Sequence, residues 1–167
     1  AMGIVPPDTV LAPRPEAIPP WDSLNEDQKK LYAHQFAVFA AYLDYTDHHI
    51  GQLLDAIKET GQLDNTMVFL VYGDNGTSAE GGANGMFSEM TYFNGVHEKV
   101  EDMIKDLDKW GSAETYPHMA AGWAVAMDTP YTWTKQVASD FGGTKVGLAV
   151  RWPEGIDSTD ELRTQFH

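Results

Sequence analysis

An apolar run at residues 67–72 predicts a buried β-strand. Its sequence, Met-Val-Phe-Leu-Val-Tyr, is rich in β-branched and aromatic side chains and lacks polar alternation, which is typical of a strand covered on both faces. A second run of this kind lies at 146–150, before Trp152 and Pro153. Because helical patterns separate the two runs, we expect an α/β fold, with part of a mixed, mostly parallel sheet flanked by helices.

A long amphipathic pattern predicts a helix before the first strand. Ser23 and Glu26 have the spacing of a capping box, and Gly61 is a suitable residue for the helix end. Because such a helix would be longer than usual for a domain of this size, a break at 44–51 is an open alternative. The apolar positions recur close to the helical period and are Phe36, Phe39, Leu43, Ile50, Leu53, Leu54 and Ile57.

Less regular patterns follow the first strand. The stretch 76–95 is rich in glycine and is predicted to be a long loop. A short helix is predicted at about 97–107, with apolar residues at 100, 104 and 107 facing the core. The aromatic and alanine-rich stretch 116–128 fits more than one structure.

Both ends of the chain lack the features of a domain boundary. Residues 1–22 are rich in proline, which removes backbone donors and fixes φ, so we expect an irregular segment there. The rest of the chain, 23–167, ends without a helix terminus or a polar tail. Both ends therefore resemble cuts in a longer domain, and the apolar surface left uncovered would favour self-association.

The chain is strongly acidic, with 25 Asp and Glu against 11 Lys and Arg and a formal net charge of −14. Nucleic-acid binding is not expected, because phosphate contacts need a basic patch, and this charge also disfavours anionic membranes. No stretch approaches the ~20 apolar residues of a membrane span. We expect a soluble protein, and the sequence leaves both the periplasm and the cytoplasm open as the compartment of the parent protein. The chain contains no cysteine, which excludes thiolate chemistry.

Two side chains with oxygen donors directly follow the first strand. Asp74 and Asn75 lie in a Gly-Asp-Asn-Gly sequence at the end of a strand where open parallel sheets place ligand-binding groups. A carboxylate beside an amide suits a hard cation such as Ca²⁺, but such pairs are also typical of tight turns. An EF-hand is excluded, because no twelve-residue loop of alternating donors ends in Glu. The pattern alone leaves a turn and a metal or phosphate-type site open.

Several short motifs occur in a fixed order at 47–51, 73–82, 122–124, 129–130, 133–136, 141–144 and 150–153. This series resembles the arylsulfatases of the type I sulfatase family, in the alkaline phosphatase superfamily. The resemblance implies that 23–167 is the central part of a sulfatase catalytic domain from a bacterial enzyme. In that family an Asp-Asn pair after a central strand provides Ca²⁺ ligands, so the resemblance implies this role for Asp74 and Asn75.

The resemblance also implies a sulfate-contacting lysine. Lys135 matches the family's lysine that precedes a Gly-Gly turn, and an ammonium there stabilises charge on the ester oxygens and the leaving group. Lys145 is the rival by position, but it fits a structural role at a strand edge. His118 lies in a family-like stretch and is a candidate for a residue that approaches the site without binding the metal. Asp140 stands where relatives would have His or Glu.

The family's nucleophile is missing from the sequence. Type I sulfatases use a formylglycine made from the first residue of a Cys/Ser-x-Pro-Ser/Thr-Arg motif, and no residue here has that context. We therefore expect the central segment of a sulfate-ester hydrolase that is inactive alone and carries part of a Ca²⁺ site. The alternatives are a segment of a related phosphatase or phosphonate hydrolase, and a non-catalytic module that packs against a partner.

Overall fold

The computed structural model describes residues 6–157 and 161–163, so parts of the predicted 1–22 and 23–167 segments lie outside the described residues. Within them, no helix combines the length and the apolar character needed to cross a membrane. The main elements, in chain order, are α1 (Glu26–Glu59), β1 (Val68–Val71), α2 (Glu89–Phe93), α3 (Val100–Met103), α4 (Ala121–Asp128), α5 (Phe141–Thr144) and β2 (Leu148–Arg151). Three 3₁₀ turns lie at Trp21–Ser23, Leu63–Asn65 and Ile104–Lys109.

Helix α1 begins at an asparagine cap. The side chain of Asn25 accepts a hydrogen bond from the Gln28 amide at 2.8 Å, and the Gln28 side chain accepts one from the Asn25 amide at 3.0 Å. This exchange satisfies two backbone donors of the first turn. The predicted box of Ser23 and Glu26 is wrong by two residues, because Ser23 ends a 3₁₀ turn and cannot also cap the helix.

Only the first half of α1 reaches the core of the described chain. Leu31 is fully buried, and Tyr32 and Gln35 are nearly so. The helix runs unbroken through 44–51, so the alternative of a break is wrong. Along that second half Leu43 and Leu53 are 48% and 62% exposed. Helical periodicity predicts that these side chains lie on one face of the helix, but it does not predict whether another element covers that face.

The core lies between α1 and the stretch 100–120. Its buried apolar members are Leu24, Leu31, Tyr32, Val100, Met103, Trp110 and Ala120. The predicted helix at 97–107 is present as α3 followed by the 3₁₀ turn Ile104–Lys109. A short helix, α2, also interrupts the predicted loop at 76–95, and α4 occupies the ambiguous stretch.

A buried glutamine connects this core to the glycine-rich loop. The Gln35 side chain donates to the carbonyl oxygen of Asn84 at 2.8 Å and accepts from the Ala120 amide at 3.0 Å. The Tyr32 hydroxyl donates to the Asn84 side chain at 2.6 Å. At Gly85, where φ is +73°, any Cβ would collide with the amide group of Gln35. These contacts fix the far end of the loop that begins after β1.

The two strands form an antiparallel sheet. Val68 lies opposite Arg151 and Val71 lies opposite Leu148, and the described residues contain no further paired strand beyond isolated bridges. The α/β character is confirmed in its coarse form, as a mixture of helices and strands. The mostly parallel sheet is not shown, since these two runs pair antiparallel; an apolar run has the same pattern in either direction.

The strands are also less buried than their sequences predict. Phe69 and Val71 on β1 are 59% and 55% exposed, and Val150 on β2 is 43% exposed. A strand that is apolar on both faces needs a covering layer on each side. The described part of the chain does not cover this sheet on both faces, so the burial expected for 67–72 and 146–150 is not found.

Leu31→Ala should destabilise the chain by about 2–5 kcal/mol, because it removes a fully buried side chain and leaves a cavity. Urea unfolding followed by circular dichroism measures the change. Leu53→Ala on the same helix is the matched control and should lie within about 0.5 kcal/mol of the wild type, since its side chain is largely exposed. Equal effects of the two substitutions would contradict this location of the core.

Candidate functional site

Two loops, at 73–82 and 129–137, meet the short helix α5 and the preceding Asp140 beside the end of β1. One backbone contact among them joins glycines. The Gly76 amide donates to the carbonyl oxygen of Gly143 at 3.0 Å, and a Cβ at Gly76 would collide with the carbonyl oxygen of Gly142. Glycine is required here by the close approach of two backbones rather than by an unusual φ angle.

The double glycine also supports the loop that carries Lys135. The Gly142 amide donates to the carbonyl oxygen of Thr132 at 2.9 Å. A Cβ at Gly142 would overlap the carbonyl oxygen of Trp133, and a Cβ at Gly143 would overlap that of Val137. The pair therefore lies against the Asp74-Asn75 loop on one side and the lysine loop on the other.

Thr77 connects the two loops directly. Its carbonyl oxygen accepts from the Lys135 amide at 3.1 Å. Its own amide and hydroxyl donate to the Asp128 carboxylate, the amide at 3.1 Å and 3.2 Å to the two oxygens and the hydroxyl at 2.7 Å. Lys135 is thereby held beside a residue that lies two positions after Asn75.

Asp128, at the end of α4, is a buried carboxylate with 9% of its surface exposed. Burial raises the pKa of Asp128 above its usual value, and the two hydrogen bonds from Thr77 only partly oppose this shift. The cost of desolvating the charge therefore exceeds what these donors return.

The Lys135 side chain pairs with a carboxylate across the loops. Its Nζ lies 3.0 Å from Oε2 of Glu80, and the side chains are 34% and 41% exposed. The same carboxylate accepts from Ser78 Oγ at 2.9 Å and from Gln136 Nε2 at 2.7 Å. The hydrogen bond from Lys135, followed by that from Ser78, lowers the pKa of Glu80.

The lysine loop has an unusual backbone on both sides of Lys135. Trp133 and Gln136 have φ angles of +64° and +79°, a region that non-glycine residues rarely adopt. Such residues cost about 1–3 kcal/mol each and persist only where surrounding contacts hold them, often at functional sites. The contacts to Gly142 and Thr77 described above provide that support.

Asp74 and Asn75 lie side by side at the surface of the turn after β1. The Asn75 amide nitrogen donates to Oδ1 of Asp74 at 2.9 Å. Among the described residues, no group of three or more His, Cys, Asp or Glu could hold a metal ion. Two oxygen-donating side chains supply part of the six or more ligands that Ca²⁺ takes. The donor set fits a partial Ca²⁺ site that needs further ligands.

His118 packs against the glycine-rich loop near Gly81 and Met86. Its backbone pairs with Met86, its Nε2 lies 2.8 Å from Oε2 of Glu89, and a Cβ at Gly81 would contact its Cβ. His118 also makes a small contribution to the lowered pKa of Glu80. Lys145 is placed differently, with Nζ 4.7 Å from the centre of the Tyr131 ring.

Comparison with known proteins identifies the family of the chain. Residues 14–166 match the family model described as Sulfatase. The chain belongs to the sulfatase family. The family predicted from the sequence motifs is thus confirmed.

Two curated relatives extend the comparison. The sulfatase chain is 31% identical over 155 residues to an arylsulfatase of Klebsiella aerogenes, in an alignment that covers 92% of this chain and 31% of the relative. It is 26% identical over 153 residues to an uncharacterized sulfatase of Schizosaccharomyces pombe, covering 91% of this chain and 26% of that protein. The chain therefore spans less than a third of the length of each relative.

Sequence reasoning missed Thr77, Glu80 and Asp128. Thr77 and Glu80 lie inside the motif at 73–82, where only the Asp-Asn pair was assigned a role. Asp128 precedes the motif at 129–130, and a lone aspartate gives no signal that its side chain is buried. The glycines were the sequence signal available for this site. Two glycine-rich motifs that are far apart in sequence are compatible with one close contact between two backbones.

Gly76→Ala should destabilise this sulfatase chain by about 1–3 kcal/mol or more, because the added methyl group meets a backbone oxygen that cannot move aside easily. Gly51→Ala is the control, since a Cβ at this α1 position has no atom within 4 Å and alanine favours the helix by up to about 1 kcal/mol. Urea unfolding measures both. A neutral Gly76→Ala would contradict the contact with Gly142.

Asp128→Asn should remove a pH dependence of stability. Because the Asp128 pKa is raised on folding, the folded chain retains this proton to higher pH than the unfolded chain. The free energy of unfolding therefore falls as pH rises from about 4, the ordinary Asp pKa, through the raised value. The variant should lack this fall.

Urea unfolding of wild type and Asp128→Asn at a series of pH values from about 3.5 to 7 tests this. Asp55→Asn, at an exposed position of α1, controls for the loss of one negative charge. Parallel curves for the wild type and Asp128→Asn would contradict the raised pKa.

Proposed function

We propose that this chain forms the sulfate-binding part of a sulfate-ester hydrolase, with Lys135 contacting the sulfate and with Asp74 and Asn75 as part of a Ca²⁺ site. One observation carries the proposal. The hydrogen bond from the Lys135 amide to the carbonyl oxygen of Thr77 holds the lysine loop against the loop that begins with the Asp-Asn pair. The similarity to an arylsulfatase supports an aryl sulfate as the substrate class.

Lys135 has the role of a charge-stabilising group. Its side chain is 34% exposed, and its ammonium donates hydrogen bonds to the sulfate oxygens as negative charge develops on the ester and the leaving group. Its backbone is fixed by Thr77 and by the double glycine, so the position of Lys135 is set before the substrate arrives. Preorganised donors of this kind contribute most where water is excluded.

Asp74 and Asn75 would hold the cation through oxygen atoms, together with ligands from outside these residues. A bound Ca²⁺ would supply Lewis-acid polarisation of the sulfate oxygens. The turn after β1 keeps the two side chains adjacent. His118 acts indirectly, by holding the back of the glycine-rich loop through its pairing with Met86.

The 167 residues contain no formylglycine precursor, so we infer that they bind sulfate esters without hydrolysing them. The exposed apolar sheet residues Phe69, Val71 and Val150 support the further proposal that the isolated chain self-associates.

Lys135→Met should weaken the binding of phenyl sulfate about ten-fold, the low end of the effect of losing a hydrogen bond to a charged group. NMR titration of the ¹⁵N-labelled chain measures binding through the amides of 73–82 and 133–136. Lys145→Met is the comparison and should bind phenyl sulfate like the wild type.

Equal binding by wild type and Lys135→Met, or a loss confined to Lys145→Met, would contradict the assignment of Lys135. The same preparations should release no p-nitrophenol from p-nitrophenyl sulfate. Saturable release that copurifies with the chain would contradict the proposed inactivity of the isolated 167 residues.

A further inference from the structure

We propose that Glu80 makes this site select singly charged sulfate esters over doubly charged anions such as phosphate monoesters and inorganic sulfate. The inference rests on the proposed contact between Lys135 and the sulfate. It adds a specificity-determining residue that does not itself need to touch the substrate.

The geometry places a negative charge directly on the sulfate-contacting group. Glu80 Oε2 lies 3.0 Å from Lys135 Nζ, and the other carboxylate oxygen accepts from Gln136. With Ser78 as a further donor, three side chains hold the carboxylate in place. An anion bound to Lys135 must therefore share the ammonium with Glu80 or displace it.

Glu80 stays ionised wherever such a site would work. Its pKa is lowered by the hydrogen bonds from Lys135 and Ser78, so the carboxylate is charged throughout the neutral range. The ammonium can rotate and offers three donors, so a pairing with Glu80 leaves donors for an anion. The carboxylate makes the potential at that anion less positive, and the resulting loss of interaction energy is proportional to the anion's charge.

The two kinds of ester differ in their net charge. A sulfate monoester carries one negative charge at neutral pH, whereas a phosphate monoester carries nearly two above its second pKa of about 6. Two unit charges about 6 Å apart in water repel enough to change binding about three-fold, and a doubly charged anion feels the square of that factor, about ten-fold. A resident carboxylate penalises the phosphate ester more.

The experiment compares phenyl sulfate with phenyl phosphate at pH 8 and low salt, with the intact 167-residue chain and NMR titration. The variants are Glu80→Gln and, as a matched control, Asp102→Asn. Asp102 pairs with Lys105 at 2.7 Å and both are 69% exposed, so this control makes the same change in net charge away from Lys135. Lys135→Met reports whether the anions bind through the lysine.

We expect Glu80→Gln to strengthen phenyl sulfate about three-fold and phenyl phosphate about ten-fold, which lowers the preference for sulfate about three-fold. Asp102→Asn should leave that preference unchanged. In about 1 M NaCl the difference between wild type and Glu80→Gln should largely disappear, because exposed charges are screened. A merely structural role for Glu80 would not respond to salt in this way.

An unchanged preference in Glu80→Gln, or equal weakening of both anions, would overturn the inference while leaving the proposed function intact. Equal binding of the anions by wild type and Lys135→Met would overturn both. The amide spectrum of Glu80→Gln verifies that the exposed substitution preserves the fold.

Discussion

The close contact between Gly76 and the Gly142-Gly143 pair is the constraint on which the arrangement of the site depends. A Cβ at Gly76 would prevent its approach to Gly142, and a Cβ at Gly142 or Gly143 would prevent the approach of the lysine loop. This approach lets one double glycine lie against both the Asp74-Asn75 loop and the Lys135 loop. The positions of the charged groups therefore follow from the absence of side chains at a few residues between them.

Thr77 converts this proximity into a defined geometry. Its three hydrogen-bonding groups contact Asp128 at the end of α4 on one side and Lys135 in the lysine loop on the other. Burying the Asp128 charge is costly, and the contact persists because an unpaired Thr77 amide in the same place would also be costly. The buried Asp128 carboxylate thus costs free energy but helps to hold Thr77 and, through Thr77, the lysine loop.

The sequence predicted the family and the order of the site motifs better than it predicted the packing. The strands at 67–72 and 146–150 exist, because apolar runs reflect local propensity. Their antiparallel pairing and exposure do not follow from such runs, since neither depends on composition. Asp74, Asn75 and Lys135, whose roles stay predictions, were assigned by motif. Glu80 and Asp128 were not, because their roles exist only after distant loops meet.

The strengths of these interactions differ enough to assign separate roles to backbone and charge. An ion pair as exposed as Lys135 and Glu80 contributes about 0–1 kcal/mol to stability, which is too little to hold two loops together. The glycine contact and the part-buried hydrogen bonds of Thr77 contribute more, because losing a partner there leaves a desolvated polar group unsatisfied. The loops therefore keep their places whether or not position 80 is charged. Neutralising Glu80 therefore leaves the position of Lys135 unchanged. It changes only the electrostatic field that an approaching anion meets.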